Sequence, residues 1–350
     1  MYPKVLIHVD KYQNNLKMLL DTFHSKGFSV MVVSKVFGAD QRLIEGINAS
    51  SADFIADSRI QNLKSMTTTK PKVLLRLPQM SEIKAVIRYA DISLNASLKT
   101  ILKLNQEALR QNKVHKIILM IDIGDLREGI YYRDFDVTII NQILSLSNIK
   151  LAGIGTNLTC YGGVIPTYET MKRLDDIQRQ IEQSFSLKLS LISGGNSSIY
   201  PFIESDEYPK NINNVRIGEL LILGRETSYG TPVLGLYDDV ITLQAQVVET
   251  ANKPSVPEGL LGLNAFGEPV SFEDRGLLNR AILAIGKQDV HPDHLICPKG
   301  IHILGASSDH LIVEIQEEQT LDIGDVLEFK LTYGGILSLM TSKYVRKTYV

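Results

Sequence analysis

The sequence predicts an α/β protein: a closed (β/α)8 barrel of the TIM class, joined to a second, C-terminal, mostly antiparallel β domain. Three observations carry this. Between about residues 28 and 217 short apolar runs alternate with longer amphipathic stretches, the runs number eight, and after Gly235 the alternation gives way to β-rich segments divided by Pro, Gly and Asp.

The eight runs are Ser29–Ser34, Asp53–Ala56, Val73–Leu75, Ile92–Leu94, Lys116–Ile121, Leu151–Thr156, Leu189–Ile192 and Asn214–Arg216. Their cores are rich in Val, Ile and Leu, as burial on both faces demands of parallel strands. Eight strand–helix units is the number that closes a barrel. Helical spacing marks Gln41–Ile47, Ser81–Tyr89, Leu98–Arg110, Phe135–Leu146 and Tyr168–Phe185, with Ser81 and either Asn95 or Ser97 as N-caps. A further helix from Asp10 to about Phe23 precedes the first barrel strand and leaves Lys4–Val9 as a strand of the second domain. That domain reads as Val240–Thr250, Ala281–Ile285, Ile301–Leu304, Leu311–Ile315 and Val326–Leu331, without helices between them. The expected division is a barrel over 10–235 and a β domain over 236–350, completed by 1–9.

Composition narrows the function. The 350 residues are 44% hydrophobic, enough apolar material for a core in each domain. The net charge of -2 sums 37 basic and 39 acidic residues spread along the chain, so no charged stripe recommends a nucleic acid or a membrane surface, and a small-molecule substrate is expected. The start, Met1-Tyr2-Pro3-Lys4, lacks the apolar run of a secretory signal, and no later run approaches a membrane span, so a cytoplasmic protein is expected. The two cysteines, Cys160 and Cys297, form neither a disulfide framework nor a zinc spacing, so no metal is expected.

Four segments carry chemistry. Val32-Val33-Ser34-Lys35 puts a lysine at the carboxyl end of the first barrel strand, the face where active sites of such barrels lie. Partial desolvation there favours a nucleophilic amine able to condense with a carbonyl, although an isolated lysine at a strand end is more often a solvated one. Ser193-Gly194-Gly195-Asn196-Ser197-Ser198 follows the seventh strand with small residues whose N–H groups close on an oxyanion, where a plain turn is the alternative. Arg216-Ile217-Gly218-Glu219 follows the eighth strand, so the two loops flank the corner where barrel phosphate sites recur. The coincidence of lysine, cradle and arginine points to a phosphate-bearing carbonyl cofactor. Lastly, Asp122-Ile123-Gly124-Asp125-Leu126-Arg127-Glu128 leaves the fifth strand with Arg127 placed either to hold a substrate carboxylate or to pair with Asp125 or Glu128.

Nearly end to end, these residues resemble the alanine racemase family of pyridoxal-phosphate enzymes, and within it the ornithine racemase branch. Val-Val-Ser-Lys35 is similar to the family's cofactor-lysine motif, Ser193–Ser198 to its phosphate loop, and Arg216-x-Gly218 to its arginine facing the pyridine nitrogen. Asn157 stands where the family places a side chain against the cofactor ring; Gly286-Lys287-Gln288-Asp289 resembles its Gly-Tyr-Ala-Asp motif, and Tyr344 its phosphate-reaching tyrosine. The resemblance implies pyridoxal 5′-phosphate as cofactor, held by Lys35, Asn157, Ser193, Gly195, Asn196, Ser197, Arg216, Gly218, Glu219 and Tyr344. It implies racemisation of a free amino acid by proton transfer on two faces, with Lys35 serving one. For the other face, Lys287 replaces the family's tyrosine, and Asp309, His310, Cys160 and Tyr161 are alternatives. Substrate is expected to meet Arg127, Cys160, Tyr161, Ser308, Asp309 and His310.

Three departures argue against alanine itself as the substrate: Ala39 replaces a tyrosine four residues after the lysine, Lys287 replaces the second base, and Asn157 replaces a histidine. A basic substrate such as ornithine is expected, with Asp309, Asp289 or Asp125 for its distal ammonium. A homodimer with shared sites is implied as well. A basic amino-acid decarboxylase, a non-catalytic cofactor carrier and a β-rich binding protein fused to a barrel are the rival readings.

Overall fold

The structure is a computed structural model that describes residues 1–316 and 318–350. It divides into two compact units, one formed by Tyr12–Asp238 and the other by Met1–Lys11 with Asp239–Val350.

In the first unit, β2 (Ser29–Val33), β3 (Phe54–Asp57), β4 (Lys72–Leu74), β5 (Ile92–Asn95), β6 (His115–Asp122), β8 (Ile149–Gly155), β9 (Leu191–Ser193) and β10 (Asn214–Ile217) run parallel, each paired to the next. Pairing of β10 with β2 closes the eight strands into a barrel, and β1 (Lys4–Ile7) stands outside it. A two-residue β7 (Ile130–Tyr131) pairs with the end of β6. Met31, Ala56, Val73, Ile92, Leu94, Ile118, Met120, Ala152 and Leu191 pack together inside. Each buried aliphatic side chain of this kind contributes about 2 kcal/mol of transfer free energy.

The outer layer consists of α1 (Val9–Ser25), α2 (Gln41–Ala49), α3 (Ile60–Ser65), α4 (Ile83–Tyr89), α5 (Leu98–Arg110), α6 (Thr138–Leu144), α7 (Tyr168–Phe185), α8 (Tyr200–Glu204) and α9 (Glu219–Leu223). Helical spacing buries Tyr12, Leu16, Leu19, Leu20 and Phe23 of α1. At α2 the Asp40 carboxylate accepts from the Arg42 and Leu43 N–H groups, and at α7 Thr167 and Thr170 form a reciprocal cap. The expected side-chain caps of the middle helices do not form. Ser97 occupies the cap position of α5 without a side-chain bond, Asn95 donates instead to Ser93, and a 3-10 turn over Met80–Glu82 precedes α4.

In the second unit, β1 pairs antiparallel with β11 (Ile241–Pro254) and parallel with β17 (Arg346–Tyr349). Antiparallel partners extend this sheet through β12 (Leu277–Leu283), β13 (Leu295–Ile296), β14 (Ile301–Ala306), β15 (Leu311–Ile315) and β16 (Val326–Leu331). One element departs from the expected all-strand texture: α10 (Tyr333–Thr341) begins with Gly334-Gly335, a dipeptide that reads as a turn. The glycines are there for packing, since a Cβ at Gly334 would lie 2.5 Å from the His294 ring. Among the described residues no helix is long and apolar enough to cross a membrane.

Candidate active site

Lys35 sits two residues past β2, in a single 3-10 turn over Lys35–Phe37. Val36 and Phe37 are fully buried, and the Phe37 ring meets Tyr12 edge to face at 6.2 Å, which pins the turn beneath the lysine. Ala39 closes the turn in the left-handed region, φ 56°, an unusual conformation for a residue with a side chain.

The charge of Lys35 acts on two half-hidden or hidden carboxyls, Asp57 at the end of β3 and Glu219 at the start of α9. Asp57 is fully buried and accepts from Ser34 Oγ at 2.6 Å, from the Arg59 N–H at 2.8 Å and from Asn62 Nδ2 at 3.1 Å. Burial pushes its carboxyl above the usual range, against the pull of those three donors and of Lys35. Burial likewise raises Glu219, against the pull of Lys35. Asp57 was absent from the sequence-based site. Its only signal there was an Asp directly after the predicted strand Asp53–Ala56.

The arginine corner is more tightly built. Arg216 is 4% exposed, and its Nη1 donates to Ser193 Oγ at 2.6 Å while Nη2 donates to the Thr156 carbonyl at 2.5 Å and to Asn157 Oδ1 at 3.3 Å. Burial draws the guanidinium down to about 10, opposed by the charges of Glu128 and Cys160, so it stays a cation at neutral pH. A Cβ at Gly218 would stand 3.0 Å from the Val33 Cβ, which explains a glycine two residues after the arginine.

The cradle follows β9. Gly195 has φ 128°, open to glycine and strained for other residues, and nothing lies within 4 Å of where its Cβ would be. Asn196 Oδ1 accepts from the Ser198 N–H at 2.8 Å, while its Nδ2 reaches Asn157 Oδ1, the Leu158 carbonyl and Cys160 Sγ. The hydroxyls divide by use. Ser193 is fully engaged with Arg216 and Asn214, and Ser197 accepts from the N–H groups of Gly218 and Leu220. Ser198 Oγ, by contrast, is buried without a partner, as are Thr156 Oγ1, Asn157 Nδ2 and Thr227 Oγ1. Buried polar atoms without partners are rare, and these four are available to bond a ligand. A pyridoxal phosphate fits this set: an amine at Lys35, a cation at Arg216, a ring-side amide at Asn157 and unpartnered hydroxyls beside a glycine-lined space.

Of the remaining barrel residues, Arg127 is paired with Glu128 through Nε and Nη2. Asp125 is buried and accepts from the N–H groups of Cys160, Tyr161 and Val164, which shapes the 160–164 loop and commits its carboxylate. Cys160 and Tyr161 are exposed on that loop.

In the second unit, the N–H groups of Lys287 and Gln288 donate to the carbonyls of Ser307 and Ser308, which brings Lys287, Ser308, Asp309 and His310 into one cluster. Gly286 permits this approach, because a Cβ there would meet the Asp309 nitrogen at 2.4 Å. The Lys287 ammonium lies over the Phe266 ring at 4.1 Å and 3.8 Å from Glu268. Asp309 accepts from Ser307 and Ser308, and these bonds hold its carboxyl below the usual range. Lys287, Asp289 and Tyr344 line one cavity of about 620 Å³. Among the described residues no group of three His, Cys, Asp or Glu side chains is arranged to hold a metal.

Comparison with known proteins gives the same frame. The family description "Alanine racemase, N-terminal domain" matches residues 7–226. The chain is 43% identical to the ornithine racemase of Acetoanaerobium sticklandii over 350 residues, covering 99% of each chain. It is 35% identical to the lysine racemase of Thermotoga maritima over 353 residues, covering 100% of this chain and 99% of that one. Alanine racemase from Bartonella henselae, solved with covalently bound pyridoxal phosphate, has the same fold at a TM-score of 0.77 with 19% identity, each chain covered completely.

Proposed function

This chain belongs to the alanine racemase family and is a pyridoxal-phosphate-dependent amino-acid racemase, and on that premise we propose that its substrate is ornithine, interconverted between L- and D-forms. The observation that carries the choice is the 43% identity, over 99% of both chains, to an ornithine racemase.

When bound, the cofactor supplies an electron-withdrawing imine and ring that make the α-proton of an attached amino acid removable. In this reading the Lys35 amine holds the cofactor and moves the α-proton on one face. Arg216 opposes protonation of the ring nitrogen, because a second cation beside a buried guanidinium is disfavoured. Asn157 would meet the cofactor's ring, and Asp57, through Ser34, fixes the turn that carries Lys35. Lys287 serves the opposite face from the β unit of a second copy, which makes the enzyme a homodimer with shared sites. Asp289, on the cavity that Lys287 and Tyr344 line, supplies the carboxylate that a distal ammonium requires. The enzyme works in the cytoplasm on a free amino acid, without nucleic acid or membrane.

The test supplies single enantiomers of ornithine, lysine, alanine, serine and arginine in heavy water and follows optical rotation, α-deuteration and carbon dioxide. Ornithine should racemise fastest and take up deuterium at the α-carbon. Faster turnover of lysine would move the assignment to that substrate, and gas release without racemisation would reject it. For the shared site, mixing inactive Lys35 and Lys287 variants should restore activity in the mixed dimer; no recovery in a verified mixed dimer would remove Lys287 from the partner's site.

A further inference from the structure

The loop that leaves β6 holds two opposite charges on a firmly anchored turn. Asp122 Oδ1 accepts from the Gly124 N–H at 2.9 Å and the Leu126 N–H at 3.2 Å, and Asp125 accepts from the N–H groups of Tyr161 at 2.9 Å and Val164 at 3.1 Å. Where the loop returns to pair β7 with the end of β6, Gly129 has φ 130°, and a Cβ there would stand 2.4 Å from the Asp122 nitrogen. The two aspartates are thus committed to the shape of the turn. Arg127 and Glu128 lie between its anchors and pair with each other through two bonds.

This pair belongs to the cofactor corner. The charges of Glu128 and Arg127 both act on the buried Arg216 guanidinium, with opposite effect. Cys160 acts on Arg127 and Arg216 alike, and its Sγ accepts from Asn196 of the cradle at 3.1 Å. The Glu128 side chain is 16% exposed, so its charge is costly whenever it stands alone. A pair that never opened would keep Arg127 from a substrate carboxylate, whereas a pair that exchanges its partners allows both roles open to that arginine in the sequence.

We propose that Glu128 selects a dibasic substrate: the α-carboxylate takes the place of Glu128 on Arg127, and the distal ammonium takes the place of Arg127 on Glu128. This deepens the ornithine reading of the same site and rests on it. Rotamer changes at two long side chains part their charged ends, and each end then meets an opposite charge. A monobasic amino acid takes the guanidinium and leaves Glu128 without a counter-charge, so it is rejected by that cost and not by shape. An ammonium has three protons to give, so Asp289 and Glu128 share it.

The test uses the full-length enzyme loaded with cofactor and measures kcat/KM for ornithine and for norvaline, which has the same carbon chain without the distal ammonium. The wild-type enzyme must prefer ornithine; absence of that preference rejects the ornithine reading itself, separately from this proposal. Glu128→Gln should lower the ornithine-to-norvaline ratio about 10-fold or more, chiefly through ornithine. Glu128→Met, which also lacks the charge, should reproduce the fall and stands in should the glutamine variant not fold, while Glu128→Asp should keep more of the preference. Arg127→Gln should lower kcat/KM for both substrates alike, because both carry the carboxylate. An equal fall on both substrates in the uncharged Glu128 variants would make Glu128 a prop for Arg127, and an unchanged ratio would leave the ammonium to Asp289; either result overturns the proposal.

Discussion

The barrel corner around Arg216 and the β-unit cluster around Lys287 carry the two halves of the expected chemistry in opposite physical settings. Arg216, Ser193 and Asn157 are at most 6% exposed and interlock through side-chain bonds, so each is held in one geometry before any ligand arrives. The β-unit cluster is open: Asp309 has no burial to speak of, Tyr344 is 60% exposed, and Lys287 rests on an aromatic face and a solvated carboxylate. A preorganised corner suits a cofactor that stays bound; an open one suits a group that must meet an incoming substrate. Substitutions in the first should therefore disturb cofactor retention and folding, and those in the second turnover alone.

Removing the amine tests the barrel half most severely. Lys35→Ala should lower racemisation by at least about 1,000-fold and abolish the cofactor's protein-linked absorbance band; a persisting band would reject the lysine assignment. In the β unit, Lys287→Gln should lower turnover by about 100-fold in both directions while cofactor affinity stays within about 2-fold. Full activity in that variant would eliminate it as the second base.

The barrel's buried framework should also set the pH dependence of stability. His115 is 3% exposed, its Nε2 lies 2.8 Å from Ser93 Oγ, and burial lowers its pKa from 6.5 to about 4. The folded state thus resists a proton that the unfolded chain accepts below pH 6.5. The contribution is intact above that pH, is lost progressively as pH falls toward 4, and amounts to about 3 kcal/mol when complete. Urea midpoints between pH 4.5 and 7 should rise with pH, and His115→Gln should flatten the slope; an unchanged slope would assign it to other groups. The smallest effect belongs to the exposed pair: Glu268→Gln should leave thermal unfolding essentially unchanged, because a solvated ion pair contributes little. A larger change would mean that the β-unit cluster is more rigid than its exposure implies.

Much of this was legible in the residues. Eight Val/Ile/Leu-rich runs located the barrel strands because parallel strands must be apolar on both faces, and Lys35, Arg216 and the Gly194-Gly195 stretch announced themselves by position at strand ends. Asp57 did not, since an acidic residue in a polar turn reads as solvated until its burial is known. Helix α10 was hidden by a glycine pair that reads as a turn and in fact makes room for His294.

By itself, then, the sequence determined the eight barrel strands and the longer barrel helices, and which side chains carry an amine, a guanidinium or a hydroxyl, because periodicity and residue chemistry are local properties. Only the tertiary structure decided which of those groups are already satisfied: that Asp125 accepts from a loop's N–H groups, that Ser193 is engaged by Arg216 and Asn214, and that Ser198 and Thr227 have no hydroxyl partner. Hydrogen-bond satisfaction depends on partners brought together from distant strands, and spacing along a chain does not encode it.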